Sequence, residues 1–528
     1  MMTKRISGIL LHPTSLPSHW GIGDLGPGAR TFIDFLHNSG QHIWQMLPLG
    51  PTGYGDSPYQ SLSAFAGNTM LVSPTILLEF GLLQEKDIDR QTFPDDHVDY
   101  GAVISHKRDL LKKAHQTFIS SNPSVIVAQY RRFCSSQAHW LDDYALFAAL
   151  KEFHQNRPWV EWPVELVQRD PEALSAWSEQ LEQEIEEHRF AQFLFFDQWA
   201  GLHRYANSRG VRIIGDIPIF VAHDSCDVWS HQEWFLLDKK GEPTVVAGVP
   251  PDYFSETGQR WGNPLFDWPQ LKKDNYSFWV KRFRLLADMY DFIRIDHFRG
   301  FAGYWEIPAE EEVAVNGCWK KGPGSELFRV LEEELGGEVP IIAEDLGLIT
   351  DDVIELLDEL GYPGMAVLQF GFGAVEDGAS SSTFLPHNHH PNQVVYTGTH
   401  DNDTTLGWWR EQSEEVRDFT RRYLNCDGRV IHRDMIRAAL SSTAKIAIFP
   451  LQDLLGLGNE ARMNRPSSSS GNWQWRFSWE SISPDRIEDL KQMTRLYGRI
   501  EPQLDKDRAK AHQYQVDSVK NQSNKTIA

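Results

Sequence analysis

The sequence predicts an α/β fold, a (β/α)8 TIM barrel of parallel strands with inserted, mostly helical subdomains, and three observations predict it. Short apolar runs that end in polar residues, Gly or Pro recur along the whole chain. Amphipathic stretches with helix start and stop signals separate several of them. Acidic residues gather at the ends of the runs, where a parallel barrel presents its chemistry.

The runs follow in order. Residues 6–12 and 42–48 give the first two, and Arg212–Ile217 the third. The fourth is Phe292–Asp296, followed by Val339–Glu344, Met365–Phe370, Gln393–Thr397 and Lys445–Phe449. Ser325 precedes Leu327, Phe328, Leu331 and Leu335, and Gly336 follows; Thr350 precedes Val353, Leu356, Leu357 and Leu360, and Gly361 follows. Both are a cap, an apolar stripe and a glycine stop, the pattern of a surface helix. Residues 86–205 carry helical patterns without a convincing strand and read as an insertion between the second and third barrel strands. A further insertion spans 230–290, the catalytic barrel as a whole 1–500, and the polar stretch 503–528 reads as a disordered tail.

The composition narrows the function. With 51 Lys and Arg against 73 Asp and Glu, the net charge of -22 disfavours nucleic acid and anionic membranes as partners. Cys134, Cys226, Cys318 and Cys426 are scattered without a CxxC pair, which argues against a disulfide framework or a cysteine metal site. No apolar stretch reaches the length of a membrane span, and Ile9-Leu10-Leu11 is too short for a signal-peptide core, so a cytoplasmic protein is expected. The 19 Trp, 15 Tyr and 29 Phe suit a core, but Trp and Tyr also suit sugar rings, whose faces are apolar and whose rims are hydroxyls.

The run Phe292–Asp296 poses the sharpest question. In a strand Ile293 and Ile295 share one face while Arg294 and Asp296 share the other. A structural ion pair accounts for that face as well as a catalytic one does. The other strand ends decide: Asp216, Glu344 with Asp345, and His400 with Asp401 stand at the same positions of their runs. Several acids at one rim repel one another unless a positive centre in the reaction uses them. Glycosidic cleavage through an oxocarbenium-like state and metal-assisted hydrolysis both fit. The His-x-His of His387 and His389 lies in a polar loop before a strand rather than at a strand end, so neither a metal nor another cofactor is expected.

The words "GDSPYQSLSAFAGN" (55–68), "GDIPIFVAHDSCDVW" (215–229), "GVPPDYF" and "GQRWGNPLFDW" (248–268), "RIDHFRGF", "IIAEDLG", "TGTHDNDT" and "GNWQWR" resemble the 4-α-glucanotransferases, called amylomaltases or disproportionating enzymes, in glycoside hydrolase family 77 of the α-amylase clan. The resemblance runs in order from about residue 6 to 499. It implies a barrel with inserted subdomains. It also implies transfer of an α-1,4-glucan segment from a donor maltodextrin to the 4-hydroxyl of glucose or another glucan. By it Asp296 matches the nucleophile, Glu344 the acid/base and Asp401 the carboxylate that stabilises the transition state. Arg294, His400, Tyr59 and Asp216 match substrate contacts. Tyr253, Phe254 and Trp261 lie in a stretch like the family loop that arches over the acceptor side; a packed loop of buried rings is the plainer reading. Such retaining chemistry sets the two working carboxyls about 5 Å apart, with Glu344 first protonated and then ionised. The chain departs from the pattern at Arg465–Ser470, before "GNWQW", and at Cys318.

Three rivals remain. A hydrolytic α-amylase shares the catalytic parts. A dinucleotide enzyme is suggested by Gly456-Leu-Gly-Asn-Glu-Ala461, although that motif closes the eighth strand instead of opening a βαβ unit. A non-catalytic glucan-binding scaffold would use the aromatics without needing acids at these strand ends.

Overall fold

The computed structural model describes residues 4–88, 91–251, 255–373, 382–466, 468 and 470–500. Its strands are β1 (Ile6–Leu10), β2 (Ile43–Gln45), β3 (Arg212–Pro218), β4 (Val245–Val249), β5 (Gln259–Pro264), β6 (Phe292–Asp296), β7 (Gly303–Pro308), β8 (Cys318–Lys321), β9 (Ile341–Ala343), β10 (Gly364–Val367), β11 (Gln393–Tyr396) and β12 (Ile446–Pro450). Eight form one sheet in the order β10-β11-β12-β1-β2-β3-β6-β9, and every pair within it is parallel. The sheet curls into a barrel with a seam between β9 and β10. All eight apolar runs of the sequence supply its strands.

Alternation along each strand divides the core in two. Ile6, Ile43, Ile214, Ile342, Met365, Val394, Tyr396 and Ile446 pack together inside the barrel. Ile9, Trp44, Ile213, Ile293, Ile295, Ala366 and Ala447 face outward against the helices. These inner and outer sets are the layers of a filled barrel, not a pore.

Amphipathic helices cover the outside. Ser325–Leu335 and Asp351–Leu360 both stop at glycines in the left-handed conformation, Gly336 (φ 76) and Gly361 (φ 67). Gly324, not Ser325, caps the first of these, so that helix begins one residue earlier than its serine suggests. Between β2 and β3 lie the long helices Tyr100–Ser121, Ser124–Phe153 and Glu182–Ser208. They are zipped by rings, with Phe118 stacked on Phe190 at 4.5 Å and Phe133 against Phe196 at 5.6 Å. The last of them returns to the barrel, where Trp199 donates to the Met289 carbonyl at 3.2 Å.

A second, antiparallel sheet, β5-β4-β7-β8, stands beside the mouth of the barrel. The sequence reading gave no strands there, because β8 is exposed at every residue and β5 contains Gly262 and Asn263 instead of alternating apolar residues. Gly456 (φ 70) ends the helix Leu451–Leu455 after β12, so its glycine motif closes a helix and does not cradle a dinucleotide. Among the described residues no helix is long and apolar enough to cross a membrane. The stretch 503–528 lies outside the described residues.

Candidate active site

The register of β3 against β6 sets Asp216 beside Arg294 and Pro218 beside Asp296. Neighbours in register share a face, so the charged residues of both strands meet at the barrel mouth. Arg294 is 3% exposed and its Nη1 reaches Asp216 Oδ1 at 2.7 Å, Asp216 Oδ2 at 2.6 Å and Asp296 Oδ1 at 3.0 Å. The guanidinium therefore divides its charge between two carboxylates. Tyr59, in the loop after β2, donates to Asp216 Oδ2 at 2.7 Å and stacks on His400 with ring centroids 5.2 Å apart.

Glu344 follows β9 directly. Its Oε2 accepts from the His297 amide at 2.7 Å and its Oε1 from the Leu346 amide at 2.9 Å. His297 holds a left-handed conformation (φ 54) immediately after β6, and this turn aims its N–H at the glutamate. Backbone strain in a non-glycine residue at such a place is characteristic of functional sites. Asp401 lies on the third side: His400 Nε2 is 3.2 Å from its Oδ2, and Asn464 donates to its Oδ1 at 2.6 Å.

These surroundings separate the three acids. Burial raises Glu344 to about 8, and the adjacent charge of Asp296 adds to it against the pull of Arg294 and the two amides. Burial also raises Asp296, to about 6; Arg294 lowers it, while Asp216 and Asp401 push it up. Arg294 thus tempers Asp296 without holding it in the ordinary carboxylate range, because burial, joined by the charges of Asp216 and Asp401, outweighs it. Burial alone would raise Asp401, but His400, Asn464 and Arg294 outweigh it and hold the carboxyl well below its usual range. His400 is raised in return, chiefly by Asp401, against burial. The side chains of Asp296 and Asp401 keep 31% and 46% of their surface open, so they are flanked by protein yet reachable by a ligand.

Asp296, Glu344, Asp401, Asp216, Arg294, His400 and Tyr59 thus converge. Trp261, on β5, joins them edge-on to His297 with centroids 4.7 Å apart. Tyr253 and Phe254 lie outside the described residues. Three participants escaped the residue-level reading. Asn464 and the His297 amide act through hydrogen bonds that no side-chain pattern announces. Trp473 holds φ 64 and lies 6.1 Å from Tyr59 and 6.0 Å from His400, and its only signal was its place in the word "GNWQWR". Among the described residues no group of three or more His, Cys, Asp or Glu side chains is arranged to hold a metal ion.

The arrangement can donate a proton from one carboxyl while a second, ionised carboxylate attacks and a third stays charged beside them. Residues 11–482 match the family model described as 4-alpha-glucanotransferase. A 4-alpha-glucanotransferase of Synechocystis sp. is 49% identical over 510 residues, covering 94% of this chain and 99% of its own. One from Thermus thermophilus is 48% identical over 95% of this chain and 100% of its own. The amylomaltase from Streptococcus agalactiae, solved in complex with acarbose, superposes with a TM-score of 0.91 at 38% identity, covering 94% of this chain and 100% of that one.

Proposed function

Since the chain belongs to the 4-alpha-glucanotransferase family, we propose that its barrel mouth transfers glucan segments by two displacements at one anomeric carbon, with Asp296 as nucleophile and Glu344 as acid/base. The chain is a 4-alpha-glucanotransferase; the residue roles, the donor and acceptor and the steps below are the proposal.

An α-1,4-glucan donor lies across the mouth with its scissile bond between Asp296 and Glu344. Protonated Glu344 gives its proton to the glycosidic oxygen as Asp296 attacks the anomeric carbon from the opposite face. The C–O bond to the leaving chain breaks, and a glycosyl ester forms on Asp296 with inversion. The ionised Glu344 then takes the proton from the 4-hydroxyl of glucose or another maltodextrin. That oxygen attacks the ester and inverts the centre again, so the α-configuration is kept. Asp401, ionised beside His400 and Asn464, favours the oxocarbenium-like charge that develops in each step. Tyr59 and His400 offer a stacked platform to the transferred sugar. Trp261 covers the acceptor side and disfavours water as the acceptor.

The observation that supports this reading best is the unequal surroundings of the two carboxyls: the Arg294 guanidinium lies 3.0 Å from Asp296 and favours its ionised form, whereas Glu344 accepts from two neutral amides beside that charge and is raised further. Paired titratable groups whose surroundings push them apart carry opposite roles in acid/base chemistry. Maltotriose tests it. The wild-type protein is expected to give glucose together with a ladder of longer chains, whereas a hydrolase gives only shorter ones. Asp296→Asn and Glu344→Gln are each expected to abolish the ladder while glucan binding persists. Retained turnover in both variants would overturn the assignment.

A further inference from the structure

The seam of the barrel runs beside the glutamate. Among the described residues a single backbone hydrogen bond crosses it, from the Ala343 amide to the Pro363 carbonyl at 2.9 Å. Towards the amino ends the seam borders a cavity of about 440 Å³ at the floor of the barrel, lined by Ile341, Ile342, Tyr362 and Pro363 together with the starts of β3, β6, β11 and β12. In a regular parallel ladder the Met365 amide would continue the pairing to a carbonyl of β9. It donates instead to a side chain: Met365 N–H to Asp345 Oδ1, 2.6 Å.

Asp345 is the residue after Glu344. The backbone of Glu344 is fastened on its other side, its N–H donating to the Ile295 carbonyl and its carbonyl accepting from Phe298, both at 3.1 Å. Among the described residues, the one polar link from this segment towards β10 beyond Ala343 is the Asp345 carboxylate. Its path is cleared by Gly364, where an added Cβ would stand 2.3 Å from Asp345 Oδ2. Two positions on either side of the seam, one just past β9 and one at the start of β10, are thus fitted to each other: an acid reaching across, and a glycine that leaves it room.

We propose that Asp345 is a positioning residue for the transfer reaction, its carboxylate pinning the end of β9 to β10 at the open seam so that Glu344 keeps its line to the glycosidic oxygen. The inference rests on the reading of Glu344 as the acid/base. Asp345 touches no reacting atom; it acts through the neighbour's backbone and through Leu346, whose amide holds Glu344 Oε1. The burial that raises Asp345 to about 6 shows that the carboxyl is kept there at a cost.

Steady-state disproportionation of maltotriose by the full chain tests the proposal with three single variants and one double variant. Asp345→Ala is expected to lower kcat about 10- to 100-fold with KM changed less than about threefold, since displacing a proton donor by an ångström harms the transition state more than binding. Asp345→Asn keeps an acceptor oxygen of the same reach and is expected to restore kcat to within about fivefold of wild type. Gly364→Ala, which evicts the carboxylate without changing it, is expected to reproduce the kcat loss of Asp345→Ala. The double variant Asp345→Ala/Gly364→Ala is expected to be no worse than either alone. Wild-type kcat in soluble Asp345→Ala, additive losses in the double variant, or an Asn variant as impaired as Ala would overturn it. If Asp345→Ala does not fold, the Asn and Gly364→Ala variants decide by the same criteria. Glu344→Gln, run alongside, separates the two claims. An active Glu344→Gln removes the acid/base reading itself, whereas an inactive one beside an unimpaired Asp345→Ala removes only the positioning role.

Discussion

Arg294 shows how a few atoms set the chemistry of the mouth. Burial raises Asp296 to about 6 and Glu344 to about 8, and the guanidinium, which bonds Asp216 twice and Asp296 once, pulls back against both. On the proposed roles, turnover needs Asp296 ionised and Glu344 protonated. Activity should therefore rise as pH climbs through about 6 and fall as it climbs through about 8. A kcat/KM profile with maltotriose is expected to be bell-shaped with limbs near those values, which belong to the coupled pair rather than to either residue alone. A profile flat from pH 5 to 9 would contradict it. The same shift appears in stability. A carboxyl whose folded pKa lies above its unfolded value contributes stability below the unfolded pKa and loses it as pH rises through the folded one. For Glu344 that window runs from about 4.5 to about 8. The melting temperature of Glu344→Gln relative to wild type is thus expected to increase between pH 4.5 and pH 8.5, and a difference independent of pH would refute the buried charge. At this scale the acids were legible in the sequence because strand ends announce them. The amide of His297 and the side chain of Asn464 were not, since their roles come from a turn and from a distant loop folding back.

Strands and helices were legible to the degree that they bury a face. Each of the eight barrel runs keeps at least one apolar face, and the charged residues of Arg212–Ile217 and Phe292–Asp296 fall at set places in their pleat, so the pattern survives without knowledge of its partners. The antiparallel sheet β5-β4-β7-β8 lacks that signature because its outer strand, β8, is exposed and its pairing is set by Trp305 meeting Trp319, a contact made only after folding. Close approach between elements also escapes a pattern. Gly215 on β3 lies under the ring of Tyr290, and a Cβ there would meet it at 2.3 Å. Gly215→Ala is expected to destabilise the protein by about 1–3 kcal/mol through overpacking, measured by urea unfolding. Because Asp216 is the next residue, kcat is expected to fall in that variant as well. An unchanged unfolding midpoint would mean that Tyr290 moves aside freely.

Across the whole molecule the first barrel strand and residue 499 are joined beneath the barrel. Buried Arg499 donates to the carbonyls of Ala439 and Leu440 at the end of the helix Ile431–Ser441. It also donates to those of Ser442, Ala444, Lys445 and Ile6, at the starts of β12 and β1. A cation at a helix carboxyl end satisfies orphan carbonyls and the helix dipole at once. Arg499→Met removes a buried donor that six carbonyls share, although Leu440 and Ser442 keep Arg5 and Ala439 and Lys445 keep a backbone N–H, and is expected to cost about 2–3 kcal/mol in urea unfolding, with little effect on KM in the protein that remains folded. A change under about 1 kcal/mol would show that the lock is not structural. This closure was not visible in the sequence, where Arg499 and Ile6 stand 493 residues apart.

The central claim is that Asp296 carries the sugar between donor and acceptor while Glu344 moves the proton. A glycosyl fluoride donor needs no proton for its leaving group, so Glu344→Gln should form the ester from maltotriosyl fluoride and lack the base that discharges it. Mass spectrometry of the quenched and digested variant is the direct measurement. A maltotriosyl mass added to the peptide containing Asp296, and absent in the double variant with Asp296→Asn, is the expected result. A label on another residue, or a mass addition that survives Asp296→Asn, would contradict the account.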